Sequence, residues 1–284
     1  MSLKRVSPLL ERETATTRLD DVAPSPWIVR RCNESGLVFL ENPPGYESLQ
    51  SELAWEVTWQ READKRAADE PALYAMSNAA KRFRHRVLKR NKVADLATAI
   101  VRVSSKSPEI RLLDLGCGEG QLLGMVMDRL PQDIRFRCRP FGVEISNELA
   151  RRSQAALAPY GGHCVHASAL QGMASFEAGF FDLIVMSSFL EHEIQPLPLL
   201  REAARALRAE GRVLIKVPNY ASWNRVMRGP RWCGYRWPDH VNYFTPQTLA
   251  AAAHAAGLQV ERMNLFDRFP LSDSLYAVLR KPAA

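Results

Sequence analysis

The stretch LLDLGCGEG, residues 112–120, holds the residues whose types and spacing point most directly to a binding site. Its apolar start predicts a strand with Asp114 near its end, and Gly116, Gly118 and Gly120 follow in the turn before a helical pattern. Glycine lets the backbone turn sharply and approach a ligand that a Cβ would block. The helix start adds unpaired N–H groups and a partial positive charge. Because the loop also carries an acid, it favours a ligand with a cationic or amine-bearing part.

A second acid follows the next predicted strand. The stretch FGVEIS places Glu144 at the end of that strand, where a carboxylate can accept both hydroxyls of a ribose. The glycine spacing is tighter than the dinucleotide pattern G-x-G-x-x-G, and the loop lacks the Lys and Ser/Thr of a phosphate loop. The two acids therefore favour a ligand that carries a ribose beside a cationic group.

Two histidines are candidates for a general base or a substrate contact. His192 lies in SSFLEHE after the fourth predicted strand of this domain, and His240 lies in RWCGYRWPDHVNYF after the fifth. Ligands of open α/β sheets bind beyond the carboxyl ends of the strands, so we expect both histidines on the rim that carries the glycine loop. A structural role stays open for both, and for His192 it would be a hydrogen bond that shapes the strand end.

The connection that holds His240 spans about 219–244 and is rich in aromatic residues. Connections of this length are commonly functional, and aromatic side chains could form a dry wall around a reactive group. The sequence predicts an aromatic substrate insert here. Tyr243 and Phe244 could instead belong to the core as they lead into the next helix, and stacking on nucleic-acid bases is a minor alternative.

After Pro108 the chain alternates between short apolar strands and amphipathic helices. The strand candidates are IRLLDL, FGVEI, HCVHA, FFDLIVM and GRVLIKV, and the helical patterns between them are GQLLGMVMDRL, NELARRSQAALA and PLPLLREAARALRAE. One more helix and two more strands follow. This order predicts an α/β fold with a parallel sheet covered by helices on both faces.

Four motifs in this order resemble those of class I S-adenosylmethionine-dependent methyltransferases: LLDLGCGEG, FGVEIS, FFDLIVMSSFLEH and LREAARALRAEGRVLIKVPN. The resemblance covers the chain from about residue 110 to the C-terminus. It implies a Rossmann-like, seven-stranded mixed sheet whose last strand is antiparallel, with S-adenosyl-L-methionine as the cofactor.

The resemblance also implies roles for individual residues. The glycine loop would line the methionine and sugar end of the cofactor, Glu144 would bind the ribose hydroxyls, and Ile145 would lie beside the adenine. The remaining cofactor-binding expectations are Asp114, Gly116, Cys117, Gly118 and Gly120 in the loop, Ser168 and Ala169 where the family has an acid near the adenine, and Met186 and Ser187 on the opposite side. Cys117 could be a reactive thiol at a helix start, but the resemblance makes it a small residue of the loop.

The N-terminal part is expected to lie outside this domain, which we bound at 106–284. Residues 1–25 are polar without periodicity and predict a loose arm, and 26–105 predict a mainly helical extension of two short strands followed by helices. The stretch RCNESGLVFLENPP resembles the last knuckle of a zinc ribbon in a bacterial subgroup of small-molecule and sugar methyltransferases, but Ser35 replaces its second cysteine. We therefore expect no bound metal and a strand pair kept for packing.

Composition restricts the classes of protein. The length of 284 residues and 46% hydrophobic content fit one large domain with an appended segment. The apolar runs are too short to span a bilayer, the first residues lack the apolar stretch of a secretory signal, and the five cysteines have no paired spacing. These features predict a cytoplasmic protein. The net charge of +7 allows a nucleic-acid partner, but its basic residues are spread over the length and do not favour one.

The sequence thus predicts methyl transfer from S-adenosylmethionine to a small-molecule acceptor, such as a sugar or a secondary metabolite. Two alternatives stay open. One is an RNA or protein methyltransferase that docks through the basic helical pattern at 82–92. The other is a catalytically silent domain that binds the cofactor and serves as a partner.

Overall fold

The computed structural model describes residues 5–20, 22–45, 91–103 and 107–282, together with the isolated positions 64, 68, 71, 75 and 79. Apart from the five isolated positions, residues 51–90 of the helical pattern expected to about residue 103, and nearly all of the basic pattern at 82–92, lie outside the described residues. The docking role of that basic pattern stays a prediction. In the described ranges no helix combines the length and apolar character needed to cross a membrane.

Within these ranges the chain forms two sheets and the helices that pack on them. In chain order the strands are β1 (Thr16–Arg18), β2 (Val29–Cys32), β3 (Val38–Leu40), β4 (Ile110–Leu115), β5 (Cys138–Glu144), β6 (His163–His166), β7 (Phe181–Ser187), β8 (Leu207–Pro218), β9 (Asn242–Tyr243), β10 (Gln259–Arg262) and β11 (Ser274–Arg280). The helices are α1 (Lys92–Val103), α2 (Gln121–Arg129), α3 (Gln132–Arg135), α4 (Asn147–Leu157), α5 (Ala169–Ala174), α6 (Pro196–Ala206), α7 (Trp223–Arg228) and α8 (Pro246–Ala255).

The larger sheet has seven strands in the order β6–β5–β4–β7–β8–β11–β10. Strands β4 to β8 run parallel, and β11 pairs antiparallel with both β8 and β10. The predicted seven-stranded mixed sheet with helices on both faces is therefore confirmed. The chain passes from β4 to β5 and β6 on one side and returns to β7 and β8 on the other. The carboxyl ends of β4, β5 and β7 consequently meet at a topological switch point, where such sheets bind ligands.

The strands of this sheet are apolar on both sides because helices cover both faces. In β4, Leu113 and Leu115 join the cluster under α5, α6 and α8, whereas Ile110 and Leu112 join the cluster under α1 and α2. In β7, the residues Phe181–Met186 are all buried. Continuous burial of this kind produces the unbroken apolar runs from which the strands are predicted.

Two element boundaries differ from those expected. Helix α1 packs Val93, Leu96 and Val101 into the same cluster as Leu112 of β4, so by its packing it belongs with the large sheet rather than with an extension that ends at residue 105. The helical pattern expected at 196–210 stops at α6, because Leu207 already pairs with Phe181 as the first residue of β8.

The smaller sheet has the order β1–β2–β3–β9 and is antiparallel throughout. Its first strand lies in the arm expected to be loose, and Leu9 of that arm is buried in the same core cluster as Leu249 of α8. The prediction of a loose arm is therefore wrong for residues 5–20, because β1 pairs with β2 and apolar side chains anchor the chain. The fourth strand, β9, comes from the aromatic insert.

Cys32, at the end of β2, is fully buried among hydroxyl groups. Thr14 Oγ1 lies 3.4 Å from its Sγ, and the backbone N–H of Ser35 donates to Sγ at 3.4 Å. Burial raises the pKa of Cys32, but hydrogen bonds from Ser35, Ser7 and Thr14 outweigh it and lower the pKa to about 6. In a zinc ribbon, further cysteine thiolates would lie beside this thiol. In this chain its neighbours are the hydroxyl residues Ser7, Thr14 and Ser35. Descent from a zinc ribbon stays a prediction.

Candidate functional site

The glycine loop that joins β4 to α2 has the backbone that only glycine adopts easily. Gly116, Gly118 and Gly120 have φ values of +66°, +54° and +78°, all in the left-handed region. A Cβ on Gly116 would overlap the ring of Phe189, which packs directly against the loop, whereas a Cβ on Gly118 would meet nothing within 4 Å. The loop therefore has a packed end at Gly116 and an open concave backbone at Gly118.

The carboxylate of Glu144, at the end of β5, closes one side of this open space. Its Oε2 accepts the backbone N–H of Gly118 at 2.9 Å, and its Oε1 accepts the backbone N–H of Ser146 at 3.0 Å. Ser146 caps α4 by accepting the N–H of Leu149. The carboxylate is thus held in one orientation by two backbone donors. A carboxylate oxygen has two lone pairs and can accept more than one hydrogen bond.

Asp114 is the second acid at the loop and is 4% exposed. Burial raises the pKa of this carboxyl to about 8, and the nearby Glu144 and Cys164 raise it further in the same direction. Without a ligand the carboxyl therefore holds its proton at neutral pH. A cationic ligand would favour the ionised form by direct attraction.

The Cys117 thiol points away from the open space into a small buried cluster with Ala150 and Cys164. Its Sγ lies 3.2 Å from Ser153 Oγ and 3.7 Å from Cys164 Sγ. The hydrogen bond with Cys164, together with burial, raises the pKa of Cys117 far above the usual range of a thiol. A thiol of this kind is a poor nucleophile, so Cys117 contributes its backbone to the loop.

The other expected cofactor residues are divided between rim and core. Ile145, Ser168 and Ser187 are partly exposed at the ends of β5, β6 and β7, on the same edge as the glycine loop. Ala169 is buried at the start of α5, and Met186 is fully buried in the main core cluster. A side chain packed in the core cannot line a cofactor, so the expectation is wrong for the side chain of Met186. Phe189, the last residue of the segment 186–189 that is expected on this side, packs on the loop.

The two candidate histidines, 48 positions apart in the sequence, lie side by side in the structure. The ring centroids of His192 and His240 are 4.7 Å apart, and the ring planes are nearly perpendicular at 84°. Glu191 lies with them, since one ligand atom from each of the three residues is within 4.8 Å of the others. The sequence prediction did not include Glu191. Its position next to His192 in SSFLEHE was the available signal.

Hydrogen bonds between the segments after β7 and before β9 hold this cluster together. The backbone N–H groups of Val241 and Asn242 both donate to the carbonyl of Glu191, at 2.8 and 3.0 Å. The Asn242 side-chain amide donates to the carbonyls of Leu190 and Glu193. The Tyr243 hydroxyl donates to the carbonyl of His240 at 2.7 Å.

Arg5, from the N-terminal arm, adds a second tie across these segments. Its guanidinium donates to the carbonyls of Leu40, Ile194 and Val241 and to Oδ1 of Asn242, at distances of 2.7 to 3.3 Å. One side chain thereby joins β3 to both segments that carry the Glu191, His192 and His240 cluster.

Burial also sets the electrostatics of the cluster. Desolvation raises the pKa of Glu191 to about 7, partly offset by a hydrogen bond from its own backbone and by Lys216 and Arg236. Desolvation and Arg236 lower the pKa of His192 to about 4. His192 is therefore neutral at physiological pH, but with so low a pKa it is a weak general base.

The aromatic insert differs from the predicted pocket wall. Trp232, Tyr235 and Tyr243 are buried in a cluster with Val29 and Leu40 of the small sheet. Trp232 Nε1 also donates to Oδ1 of Asp273 at 2.7 Å. Most of the aromatic surface therefore forms a core between the small sheet and the rim, and the prediction of a wall is wrong for these residues. Phe244 is buried as well, in the main core cluster, as the alternative for Tyr243 and Phe244 predicted.

Three aromatic residues of the insert, Tyr220, Trp223 and Trp237, are not buried, and Trp237 follows Tyr235 of the buried cluster. It is partly exposed, and its ring stacks on Tyr235 with 5.5 Å between centroids. Trp237 therefore remains available to line a pocket at the rim.

Comparison with known proteins decides the family. A family model described as a methyltransferase domain matches residues 75–262. This chain belongs to the methyltransferase domain family. The prediction of a class I methyltransferase is thereby confirmed, and the match includes the glycine loop, Glu144 and the Glu191, His192 and His240 cluster.

The curated relatives of this methyltransferase include ubiquinone biosynthesis O-methyltransferases. The protein from Xanthomonas axonopodis pv. citri (strain 306) is 26% identical over 158 residues, which cover 53% of this chain and 63% of the relative. The protein from Aeromonas salmonicida (strain A449) is 26% identical over 181 residues, covering 57% of this chain and 68% of the relative. The chain thus spans less than two thirds of the length of the Xanthomonas relative that it matches.

Solved structures share the fold of this methyltransferase at low sequence identity. A chain of the Haloferax volcanii complex between the Trm112 methyltransferase activator and a methyltransferase is 17% identical, with a TM-score of 0.52, over 72% of this chain and 95% of that chain. A Galdieria sulphuraria structure named as a sarcosine dimethylglycine methyltransferase is 16% identical, with a TM-score of 0.52, over 67% of this chain and 85% of that chain.

Proposed function

We propose that this methyltransferase transfers the methyl group of S-adenosyl-L-methionine to an oxygen atom of a small-molecule acceptor. The observation that carries the proposal is the open, left-handed backbone at Gly118, flanked by Glu144 and Asp114 at the switch point of the sheet. This arrangement accepts a ligand with a ribose and a positive charge. The glycine loop itself, residues 116–120, contains no basic residue for a phosphate.

The described residues fit this cofactor group by group. The fixed carboxylate of Glu144 would accept the ribose hydroxyls, with Ile145 beside the adenine and Ser168 near its far edge. The cationic methionine end would lie against the glycine loop and favour ionisation of Asp114. Ser187 and the ring of Phe189, which packs on Gly116, would close the opposite side.

The acceptor would bind on the same rim, next to His192 and His240. These two residues remain the proposed catalytic contacts, and the relatives named as O-methyltransferases favour a hydroxyl as the group that is methylated. In the transfer, the acceptor oxygen forms the new bond to carbon as the carbon–sulfur bond breaks. The electron pair of that bond stays on sulfur and gives S-adenosylhomocysteine, and the hydroxyl proton leaves to a base. Alignment of oxygen, carbon and sulfur in one line lowers the barrier of this step.

A pair of glycine variants tests the cofactor site. Gly118→Ala and Gly257→Ala place a Cβ at two left-handed positions, φ +54° and +76°, both with open space around the added atom. A Cβ strains left-handed backbone, and both positions have it. Each substitution should therefore lower the free energy of unfolding by about 1 kcal/mol. Calorimetry with S-adenosylhomocysteine should show weakened binding for Gly118→Ala alone. Equal affinities in the two variants would refute the proposed site.

A transfer assay tests the reaction itself. The full chain is incubated with S-adenosylmethionine labelled in the methyl group and a panel of hydroxylated acceptors that includes catechols and sugars. We expect label in an O-methyl product. Cofactor binding without transfer to any acceptor, RNA or protein would favour the catalytically silent alternative.

The proposal places the reaction in the cytoplasm, where free thiols such as Cys117 and Cys164 stay reduced.

A further inference from the structure

We propose that Glu191, His192 and His240 form a binding site for one divalent transition-metal cation at the acceptor side of the rim. The inference deepens the proposed function, and its catalytic role rests on that function, but cation binding can be tested without it. Three independent features of the cluster support the site.

The first feature is the convergence of three ligand types at one point. One carboxylate oxygen and one nitrogen from each imidazole lie within 4.8 Å of one another. Ligands that share a tetrahedral cation at 2.0–2.2 Å are about 3.4 Å apart, a spacing that follows from the usual metal–ligand distances. Small side-chain movements are therefore enough to close the cluster around a cation.

The second feature is the orientation of the two imidazoles. Nδ1 of His192 lies 2.9 Å from the carbonyl of Asp239, and Nδ1 of His240 lies 2.8 Å from the carbonyl of Gly234. A carbonyl oxygen only accepts, so each Nδ1 carries the proton and each Nε2 carries the lone pair. Histidines that bind metals commonly donate their other ring N–H to a backbone carbonyl in this way, which fixes the tautomer and the orientation of the ring.

The third feature is the carboxylate of Glu191, which is 1% exposed. Its Oε2 is buried and accepts no hydrogen bond within the described part of the chain. A buried carboxylate oxygen without a partner destabilises the fold unless a proton or a cation neutralises it. The backbone of Glu191 is fixed by the N–H groups of Val241 and Asn242, so this side chain is held in the cluster.

The donor set indicates which cations fit. Two imidazoles and one carboxylate suit Zn²⁺, Fe²⁺, Co²⁺ or Mn²⁺, whereas Mg²⁺ and Ca²⁺ prefer sites built from oxygen alone. The nearby positive charge of Arg236 is paired with Asp239 at 3.2 Å. Three protein ligands leave a coordination position open, as in catalytic rather than structural zinc sites.

The open position gives the site a role in the proposed reaction. The cluster begins two residues after Phe189, whose ring packs against Gly116 of the cofactor loop. A hydroxyl of the acceptor that binds the cation loses its proton more readily, because the positive charge stabilises the resulting oxygen anion. That oxygen would then attack the methyl carbon, and the proton would pass to solvent. In this role His192 binds the cation and does not have to accept the proton.

Metal titration tests the site directly. The full chain is stripped with a chelator, Zn²⁺ or Co²⁺ is added in a calorimeter, and bound metal is counted by mass spectrometry. We expect one equivalent of metal, and Co²⁺ should give the visible absorption of a nitrogen- and oxygen-ligated ion. If the stripped protein takes up no stoichiometric Zn²⁺ or Co²⁺, the inference is overturned.

Variants show whether the bound metal is at this cluster. Glu191→Gln keeps the shape of the side chain, whereas His240→Ala removes the imidazole. Each variant should lower the affinity for the metal by at least about 100-fold, because loss of a hydrogen-bond partner of a ligand alone costs about 10–100-fold. His254→Ala, which removes an exposed histidine of α8, should bind like the parent. If His240→Ala fails to fold, Glu191→Gln and His192→Ala decide. Parental affinity in either would overturn the inference.

Binding of S-adenosylhomocysteine to the stripped protein separates this inference from the proposed function. If the protein binds one equivalent of metal but no S-adenosylhomocysteine, the proposed function is refuted and the metal site is supported. Full methyl transfer by a protein that binds no Zn²⁺ or Co²⁺ would support the function and overturn the metal site.

Discussion

Asp114 is a buried acid whose ionisation the ligand-free fold opposes. Its pKa is about 8 in the folded chain because of burial and the neighbouring Glu144 and Cys164, whereas an unfolded aspartate has a pKa near 3.9. Between these values the folded state holds a proton that the unfolded state has lost. The free energy of unfolding therefore decreases as the pH rises from about 4 to about 8.

Replacing Asp114 should remove this pH dependence. We expect Asp114→Asn to raise the thermal stability of the ligand-free protein more at pH 8 than at pH 5, and to weaken binding of S-adenosylmethionine because the amide cannot ionise. Differential scanning calorimetry at the two pH values measures the first effect. Asp133→Asn, at an exposed position in α3, is the control. An equal change in melting temperature at both pH values would contradict the assignment.

At the residue scale, the glycine spacing predicts a sharp turn, and Gly116, Gly118 and Gly120 all have left-handed backbone in the structure. The cofactor-binding roles of these glycines and of Glu144 stay predictions. Glu191 was not predicted because its position next to His192 in SSFLEHE does not by itself distinguish a cluster acid from a solvent-exposed one. Only the folded chain places it beside His240.

At the scale of elements, the connection between the N-terminal arm and the rim depends on Arg5. Its guanidinium donates to four acceptors on three segments. Arg5→Ala would remove all four of these hydrogen bonds at once, although the carbonyl of Val241 would keep the N–H of Leu40 as a donor. We expect a loss of about 3 kcal/mol in the free energy of unfolding, since hydrogen bonds from charged groups contribute about 1.5–3 kcal/mol each and partly replace one another when lost.

Urea denaturation measures the effect of Arg5→Ala, and turnover should fall with stability because the segments that carry Glu191 and His240 loosen. Arg12→Ala is the matched control, since the ion pair of Arg12 with Glu34 is exposed and such pairs contribute about 0–1 kcal/mol. If Arg5→Ala lowers the free energy of unfolding no more than Arg12→Ala does, the hydrogen bonds of Arg5 do not stabilise the fold.

Element prediction was accurate where the local pattern and the tertiary environment agree. The bounds of β4 match the apolar run IRLLDL, because the glycine loop ends the strand. The end of α6 was misplaced because LRAE has good helix formers, yet Leu207 pairs with Phe181 in the sheet, so tertiary pairing overrides the helix propensity. Local sequence has no information on such pairings.

At the scale of the whole molecule, the small sheet joins residues about 200 positions apart. Val38 and Phe39 of β3 pair with Tyr243 and Asn242 of β9, and the N–H of Leu40 donates to the carbonyl of Val241. This architecture was not predictable, because a two-residue strand gives no periodic signal and its partner lies at the other end of the chain.

The small sheet and the insert should therefore open as one cooperative unit. In native-state hydrogen exchange, we expect the amides of Leu40, Val241 and Asn242 to exchange with a common free energy of opening. Strand β10, an edge strand whose residues are all exposed, serves as the faster-exchanging reference. Exchange of Leu40 much faster than that of Val241 would show that the small sheet opens independently.

The pairing of β3 with β9 bears on how the segment that carries the proposed catalytic contact His240 can be exchanged between related enzymes. The segment 219–244, which precedes α8 and carries His240, is completed by a strand that the first 45 residues supply. A chimaera that exchanges only this segment would place it against a foreign β3 and a foreign Arg5. The exchangeable module is discontinuous, so recombination at a single crossover would separate its two halves.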